Sequence, residues 1–294
     1  MLSMTAKIFI VTGSIVLFAG IAFYLSLQKK EIPKPVPIVE KKEVVISPTT
    51  EVLGTSVEGR SILLHRFGTG TTHLVFVGGI HGGYEWNSVL LAYTFIDYLK
   101  SHPEIIPKNL TIDIIPSANP DAIHKVTGTE GRFAASDVST NKKTLESARF
   151  NAHTVDINRN FDCKWKKEST WRQKKVSAGT AAFSEPETRA ITHYITTYKP
   201  VAAIFWHSQS NGVYASQCEH GVLPETLTIM NAYSEASGYP AIKIFDAYEV
   251  TGAADDWLAS IAIPAITVEL KTHETIEWKE NLAGITALLN LYKR

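Results

Sequence analysis

Five short runs in this chain are apolar on consecutive positions: residues 73–77, 110–115, 201–206, 241–245 and 265–270. Between and after them lie stretches with helical amphipathic spacing, at 88–101, 185–198, 225–237 and 276–291. A strand wetted on one face alternates apolar with polar residues. A strand apolar on successive positions must be covered on both faces. The pattern therefore predicts an α/β class: a single-domain sandwich with a mixed, mainly parallel central sheet covered by helices on both faces. Ligands of such sheets bind in the crevice beyond the carboxyl ends of the strands, so chemistry is to be sought just past each run.

The pattern begins near residue 52. Upstream, residues 8–27 read IFIVTGSIVLFAGIAFYLSL, with no charged side chain. A run of about 20 apolar residues is long enough to cross a bilayer. Gly20-Ile21-Ala22 could be the small-x-small site of a cleaved signal peptide, but the apolar run continues past it. Residues 1–28 are thus expected to form an uncleaved N-terminal membrane anchor helix. Residues 29–51, KKEIPKPVPIVEKKEVVISPTTE, mix prolines with charges and form a semi-rigid linker. Residues 52–294 then form the single folded domain, with no internal repeat. Lys7 and the terminal amine on one side oppose Lys29, Lys30 and Lys34 on the other, so charge does not decide the orientation. An extracytoplasmic domain on a membrane tether is the expected location.

Twenty-nine lysines and arginines balance 29 aspartates and glutamates. That balance offers no basic face for nucleic acid. Cys163 and Cys218 are the only cysteines, and neither belongs to a CxxC pair, which argues against thiolate metal or dithiol redox chemistry. An even count behind a membrane segment suits one disulfide in an oxidising compartment. Two buried free thiols suit it almost as well.

The ends of the runs carry a consistent set of groups. After LVFVGGI come His81 and Glu85, in HGGYE; after FW comes His207; Glu269 lies near the end of PAITVEL. Two histidines and one carboxylate are a common catalytic zinc set, with a fourth position left for water. A further carboxylate can then act as general base. The other eight of the ten histidines have weaker positions, although His153 and His273 each lie within a few residues of a motif. In ARFNAHTVDINRNFD, residues 148–162, Arg149, Asn158 and Arg159 surround a short apolar VDI. Arginine's planar fork suits a carboxylate, and a second arginine suits an oxyanion. A turn-rich solvated loop would explain the same residues.

With these residues in view, the chain resembles the zinc carboxypeptidases of the carboxypeptidase A type over essentially all of 52–294. The resemblance rests on an ordered series: TSVEGR, GGIHGGYE, SANPDA, RFNAHTVDINRNFD, FSEPET, FWHS and TVEL. It implies one zinc ion held by His81, Glu85 and His207, with Glu269 as general base and Arg149 stabilising the oxyanion. It further implies that Asn158 and Arg159 bind the substrate's terminal carboxylate and that Tyr248 is the mobile tyrosine covering it. The position seven residues later, Asp255, would lie at the base of the pocket for the terminal side chain, where a carboxylate invites a cation. A cap or first-turn charge for the following helix is the other reading of Asp255 and Asp256. The family spaces its first two ligands as HxxE, whereas HGGYE inserts one more residue. Paired glycines or a helical turn could still present both groups. If the segments after Asp162 and Ser208 converge on the metal, Cys163 and Cys218 come within bridging range.

The expected activity is therefore removal of C-terminal residues from peptides. Cell-wall peptides containing diaminopimelate, acted on by an amidase or carboxypeptidase of the same scaffold, are the nearest alternative. A non-catalytic zinc or peptide-binding module is a third, and it should lack the base or a ligand.

Overall fold

Successive residues of the inner strands face opposite ways, and both faces are apolar. Leu74 and Phe76 of β3 (Thr72–Val77), Ile204 and Trp206 of β7 (Ala202–Ser208), and Ile266 and Val268 of β10 (Ala265–Leu270) join one core. That core also takes in α1 (Trp86–Ser101), α5 (Pro224–Ser237) and α7 (Trp278–Tyr292). Val75, Val77, Ala203, Phe205 and Ala265 face a second core with α4 (Pro186–Tyr198) and α6 (Ala254–Ser260). Period-2 geometry splits one continuous apolar run between two cores.

The computed structural model describes Tyr24 and residues 48–294. Ile46–Arg294 form one compact unit, separate from Met1–Val45. Apart from Tyr24, the expected anchor lies outside the described residues, as does most of the expected linker. Among the described residues no helix is long and apolar enough to cross a membrane.

Ten strands are present among these residues. Eight form one sheet in the order β1-β2-β4-β3-β7-β10-β8-β9, and β5 (Glu168–Trp171) pairs with β6 (Lys174–Ser177) as a separate hairpin. The four central strands, with β4 at Leu110–Ile115, are mutually parallel. β1 (Thr49–Thr55), β2 (Ser61–Gly68) and β8 (Gly212–Ala215) join antiparallel, which makes the sheet mixed, as expected. Two short helices, α2 (Pro120–Thr127) and α3 (Lys142–Ser147), lie in the connections after β4.

Two boundaries differ from expectation. β1 starts at Thr49, inside the stretch read as linker, because the β-branched Thr49, Thr50 and Val52 pair with β2. The run at 241–245 yields only the two-residue edge strand β9 (Ala241–Ile242); beyond it Lys243 and Ile244 are exposed and the chain leaves the sheet. The outer strands β2 and β8 escaped the pattern because they alternate or are too short to show a run.

On the β2 side of the sheet, Asp113 of β4 is fully buried and carries charge. Arg66 donates to it at 2.8 Å, the Tyr194 hydroxyl donates at 2.7 Å, and His73 Nδ1 lies at 2.7 Å. Burial alone would raise its pKa, but these three partners outweigh it and hold the carboxyl below the ordinary 3.8. A depressed carboxylate stabilises the fold above its unfolded pKa and loses that contribution as pH falls through the folded value. Removing one partner of a buried charge pair costs about 3–5 kcal/mol. Asp113→Ala should lower unfolding free energy by about that amount at neutral pH in a denaturant titration. The deficit relative to wild type should shrink below pH 3.8.

Candidate metal centre and substrate cleft

β3 ends at Val77, and the chain turns through Gly78, Gly79 and Ile80 to reach His81. Residues Gly82–Glu85 then form a 3-10 turn that leads directly into α1. Gly82 has φ of 45°, and a Cβ there would stand 2.3 Å from Ala122 Cβ of α2. A Cβ on Gly83 would stand 2.6 Å from the Ala122 carbonyl oxygen. Paired glycines are thus what lets this turn press on α2 and present both ligands despite the longer spacing. His207 arrives from within β7. One donor atom from each of His81, Glu85 and His207 lies within 4.8 Å of the others, and each residue is 3% exposed.

Burying a carboxylate and two imidazoles is costly unless their charge is matched. Glu85 Oε2 lies 3.0 Å from His207 Nδ1 and accepts the Ser208 N–H at 3.2 Å; Glu85 Oε1 lies 3.6 Å from Arg149. Burial tends to lower the His207 pKa, but Glu85 outweighs it and the net shift is upward. Burial, with the Arg149 charge, holds His81 well below its ordinary value, so its imidazole is neutral. Its buried Nδ1 has no hydrogen-bond partner among the described residues and stands 3.4 Å from Asp156 Oδ1. A neutral imidazole, a carboxylate and a second imidazole paired to it form a donor set that fits zinc. A dication would replace the proton that His207 shares with Glu85.

Glu269 stands beside this set because β10 runs parallel to β7 with Glu269 in register with His207. Its Oε2 accepts the Ser210 N–H at 3.1 Å. Burial, then repulsion from Glu85, push its carboxyl up to about 7, against the pull of His207, Ser210 and Arg149. Arg149 is held by Asp156, which accepts from its Nε at 3.0 Å, and its guanidinium lies 4.5 Å from the centre of the Trp171 ring.

The other expected residues converge here too. Asn158 Oδ1 accepts the Ala254 N–H at 2.9 Å, and the Asn158 side-chain NH2 has no partner among the described residues. Arg159 spends three of its five N–H groups on the carbonyls of Thr170 and Asn158, leaving two without a partner among the described residues. Asp255 accepts from the Thr267 hydroxyl at 3.0 Å, and Asp256 from the Gln217 N–H at 2.9 Å. Neither aspartate caps α6, since its N-cap is Ala253 and Asn158 serves the first amide from outside the helix, but both lie in its first turn, as the alternative reading expected. Tyr248 lies on the loop after β9, its ring 4.9 Å from Phe245. His81, Glu85, Arg149, Asn158, Arg159, His207, Tyr248, Asp255 and Glu269 all line one cleft of about 360 Å³.

Three cleft residues, and one buried behind the cleft, escaped sequence reasoning in these roles. Asp156 orients Arg149 yet sat inside the VDI taken as apolar. Asp256, pushed up to about 8 by burial and by Asp255, shares the pocket wall. Trp171 and Arg172 come from the β5–β6 hairpin, which carried no recognised motif. His153 and His273 are neighbours of the site; they pair with Glu185 and Ser208 at 2.7 Å each. Cys163 and Cys218 form a disulfide with Cα atoms 6.1 Å apart, tying the segment after Asp162 to the segment that follows β8.

The zinc carboxypeptidase family model matches residues 47–283. A gamma-D-glutamyl-L-diamino acid endopeptidase of Lysinibacillus sphaericus is 24% identical over 238 residues, covering 74% of this chain. The match spans 59% of that relative's length. Thrombin activatable fibrinolysis inhibitor superposes with a TM-score of 0.66 at 18% identity, covering 83% of this chain and 69% of that one. Murein-tripeptide amidase from Escherichia coli O157 superposes with a TM-score of 0.57 at 21% identity, covering 85% and 94%. These structures share the fold, with its mainly parallel mixed sheet between layers of helices. The chain belongs to the zinc carboxypeptidase family, whose members are hydrolases acting on peptides.

Proposed function

We propose that this protein is a zinc-dependent exopeptidase that removes the C-terminal residue of peptides, favouring a terminal side chain that carries a cation. The observation that carries this reading is the convergence of a metal-ligand set, a carboxylate base and a carboxylate clamp on one cleft. Zinc, when held by His81, Glu85 and His207, acts as a Lewis acid that polarises the scissile carbonyl and acidifies water. Asn158 and the two free N–H groups of Arg159 bind the terminal carboxylate, so only the last peptide bond reaches the centre. Glu269 accepts a proton from the attacking water and delivers it to the leaving amine. Arg149 donates to the developing oxyanion from a position braced by Asp156 and Trp171. Tyr248, on its loop, closes over the bound end.

Asp255 on the pocket wall favours a lysine, an arginine or the amine-bearing centre of a diamino acid. That same feature supports a second reading, hydrolysis of cell-wall peptides ending in diaminopimelate, given the likeness to a diamino acid endopeptidase and a murein amidase. Incubating the soluble domain with peptide and muropeptide mixtures, followed by mass spectrometry, separates the two.

One zinc per chain should be measurable by atomic absorption, and chelation should abolish hydrolysis. The His81→Ala/His207→Ala double variant should hold almost none; full occupancy there would remove the ligand assignment. Glu269→Gln should keep fold and zinc while turnover falls by roughly 100- to 10,000-fold or more. Glu269 works as a base only when unprotonated, so activity falls as pH drops through its pKa. A bound dication can only lower that pKa, so the acid limb of kcat/KM should lie at or below about 7. Asp255→Ala should cut kcat/KM for lysine- or arginine-terminated peptides by about tenfold to a hundredfold. Leucine- and phenylalanine-terminated peptides should be spared; unchanged selectivity would make Asp255 structural.

A further inference from the structure

His273 lies on the loop 271–277, between β10 and α7. Two buried side chains pin this loop. Glu277 Oε2 accepts the Lys271 N–H at 2.9 Å and the Tyr239 hydroxyl, while Glu277 Oε1 accepts the Thr275 hydroxyl at 2.7 Å. From the other side, Asn87 Nδ2 donates to the carbonyls of Thr272 and Thr275 at 2.7 and 2.8 Å. Asn87 is fully buried in the first turn of α1, two residues after Glu85.

These bonds decide where the hydrogens lie further along. The Asn87 amide spends both of its hydrogens on the two carbonyls, so its Oδ1 can only accept. Ser208 Oγ, 3.0 Å away, must therefore donate to it. Ser208 has one hydroxyl hydrogen, so its 2.7 Å contact with His273 Nδ1 is closed by a hydrogen on the imidazole. The chain thus runs one way, from imidazole to hydroxyl to amide to the carbonyls of the loop that carries the imidazole.

Both contacts of His273 reach a neighbour of a metal-ligand residue. Ser208 follows His207, and its N–H donates to Glu85 Oε2 at 3.2 Å. Tyr84 precedes Glu85, and its ring meets the His273 ring edge to face with centres 4.7 Å apart. Packing on Tyr84 needs only bulk, whereas bonding Ser208 needs an N–H at the δ position.

We propose that His273 is a positioning residue for the metal centre. By donating to Ser208 it fixes the peptide whose N–H aims Glu85, and by packing on Tyr84 it steadies the turn that presents Glu85 from the other side. The carboxylate is then in place before an ion arrives, which lowers the ordering cost of binding it. This rests on the assignment of His81, Glu85 and His207 as zinc ligands.

The test measures zinc affinity of the full chain, stripped of metal, by competition with a chromophoric chelator. His273→Leu keeps bulk against Tyr84 but has no N–H. It should bind zinc about tenfold more weakly, while the melting temperature of the metal-free form stays within a few degrees of wild type. His273→Asn returns an N–H at the δ position and should recover to within about threefold of wild type. Ser208→Ala cuts the same link from its other end and should match the leucine variant, and the double variant should lose no more than either alone. Wild-type zinc affinity in His273→Leu, whatever its melting temperature, makes His273 structural only and overturns the proposal. An asparagine variant as weak as leucine, or losses that add in the double variant, overturn it too. If the leucine variant fails to fold, Ser208→Ala decides alone, and wild-type affinity there overturns the proposal. A wild type that takes up no zinc overturns instead the ligand assignment beneath it.

Discussion

The parallel register of β7 and β10 is the constraint on which the site depends. It sets Glu269 opposite His207, so the proposed base and the proposed metal ligand become neighbours through ladder hydrogen bonds, not through their own attraction. A shift by one residue would turn Glu269 into a helix-covered core and put Val268 or Leu270 at the cleft. Such a slip is blocked because Ile266 and Val268 already fill one core and Ala265 the other. Packing on both faces of the sheet therefore fixes the geometry of the chemistry at its carboxyl edge.

Charge is the second organising element. The interior holds Glu85, Arg149, Asp156 and Arg159 almost without exposure, and an isolated ion there would be costly. Each is met by an opposite charge or by backbone. Asp156 holds Arg149 and takes the Asn158 N–H, while Arg159 is spread over two carbonyls. The same pairing leaves selected donors open: the Asn158 amide and two N–H groups of Arg159. A satisfied scaffold with a few directed vacancies is how a buried polar network recognises a ligand instead of destabilising the fold. Around the loop that carries Arg149, Glu185 and Glu187 both accept from Asn151, which ties the FSEPET segment to the RFNAH segment.

Much of the site was legible in sequence because strand ends carry it. Once 73–77, 201–206 and 265–270 are read as buried strands, His81, His207 and Glu269 follow by position. The hairpin bearing Trp171 and Arg172 was not legible: its strands are four residues long and its arginine occupies a turn position that statistics assign to glycine. Asp156 was hidden for a different reason, since a single acid between two β-branched residues looks like any surface loop until its partners are known.

The sequence by itself determined the fold class, the candidate metal-ligand types and the ordered motifs, because these depend on local periodicity and on chemistry that few residues can perform. Tertiary structure alone decided what required distances between segments far apart in the chain. The 3-10 turn that reconciles the longer spacing exists because Gly82 and Gly83 press on Ala122. The Cys163–Cys218 bridge spans 55 residues, and the capping of α6 by Asn158 spans 96. Asp255 and Asp256 were released from a capping role by that remote asparagine. No local pattern encodes such contacts; they follow from which surfaces the two cores bring together.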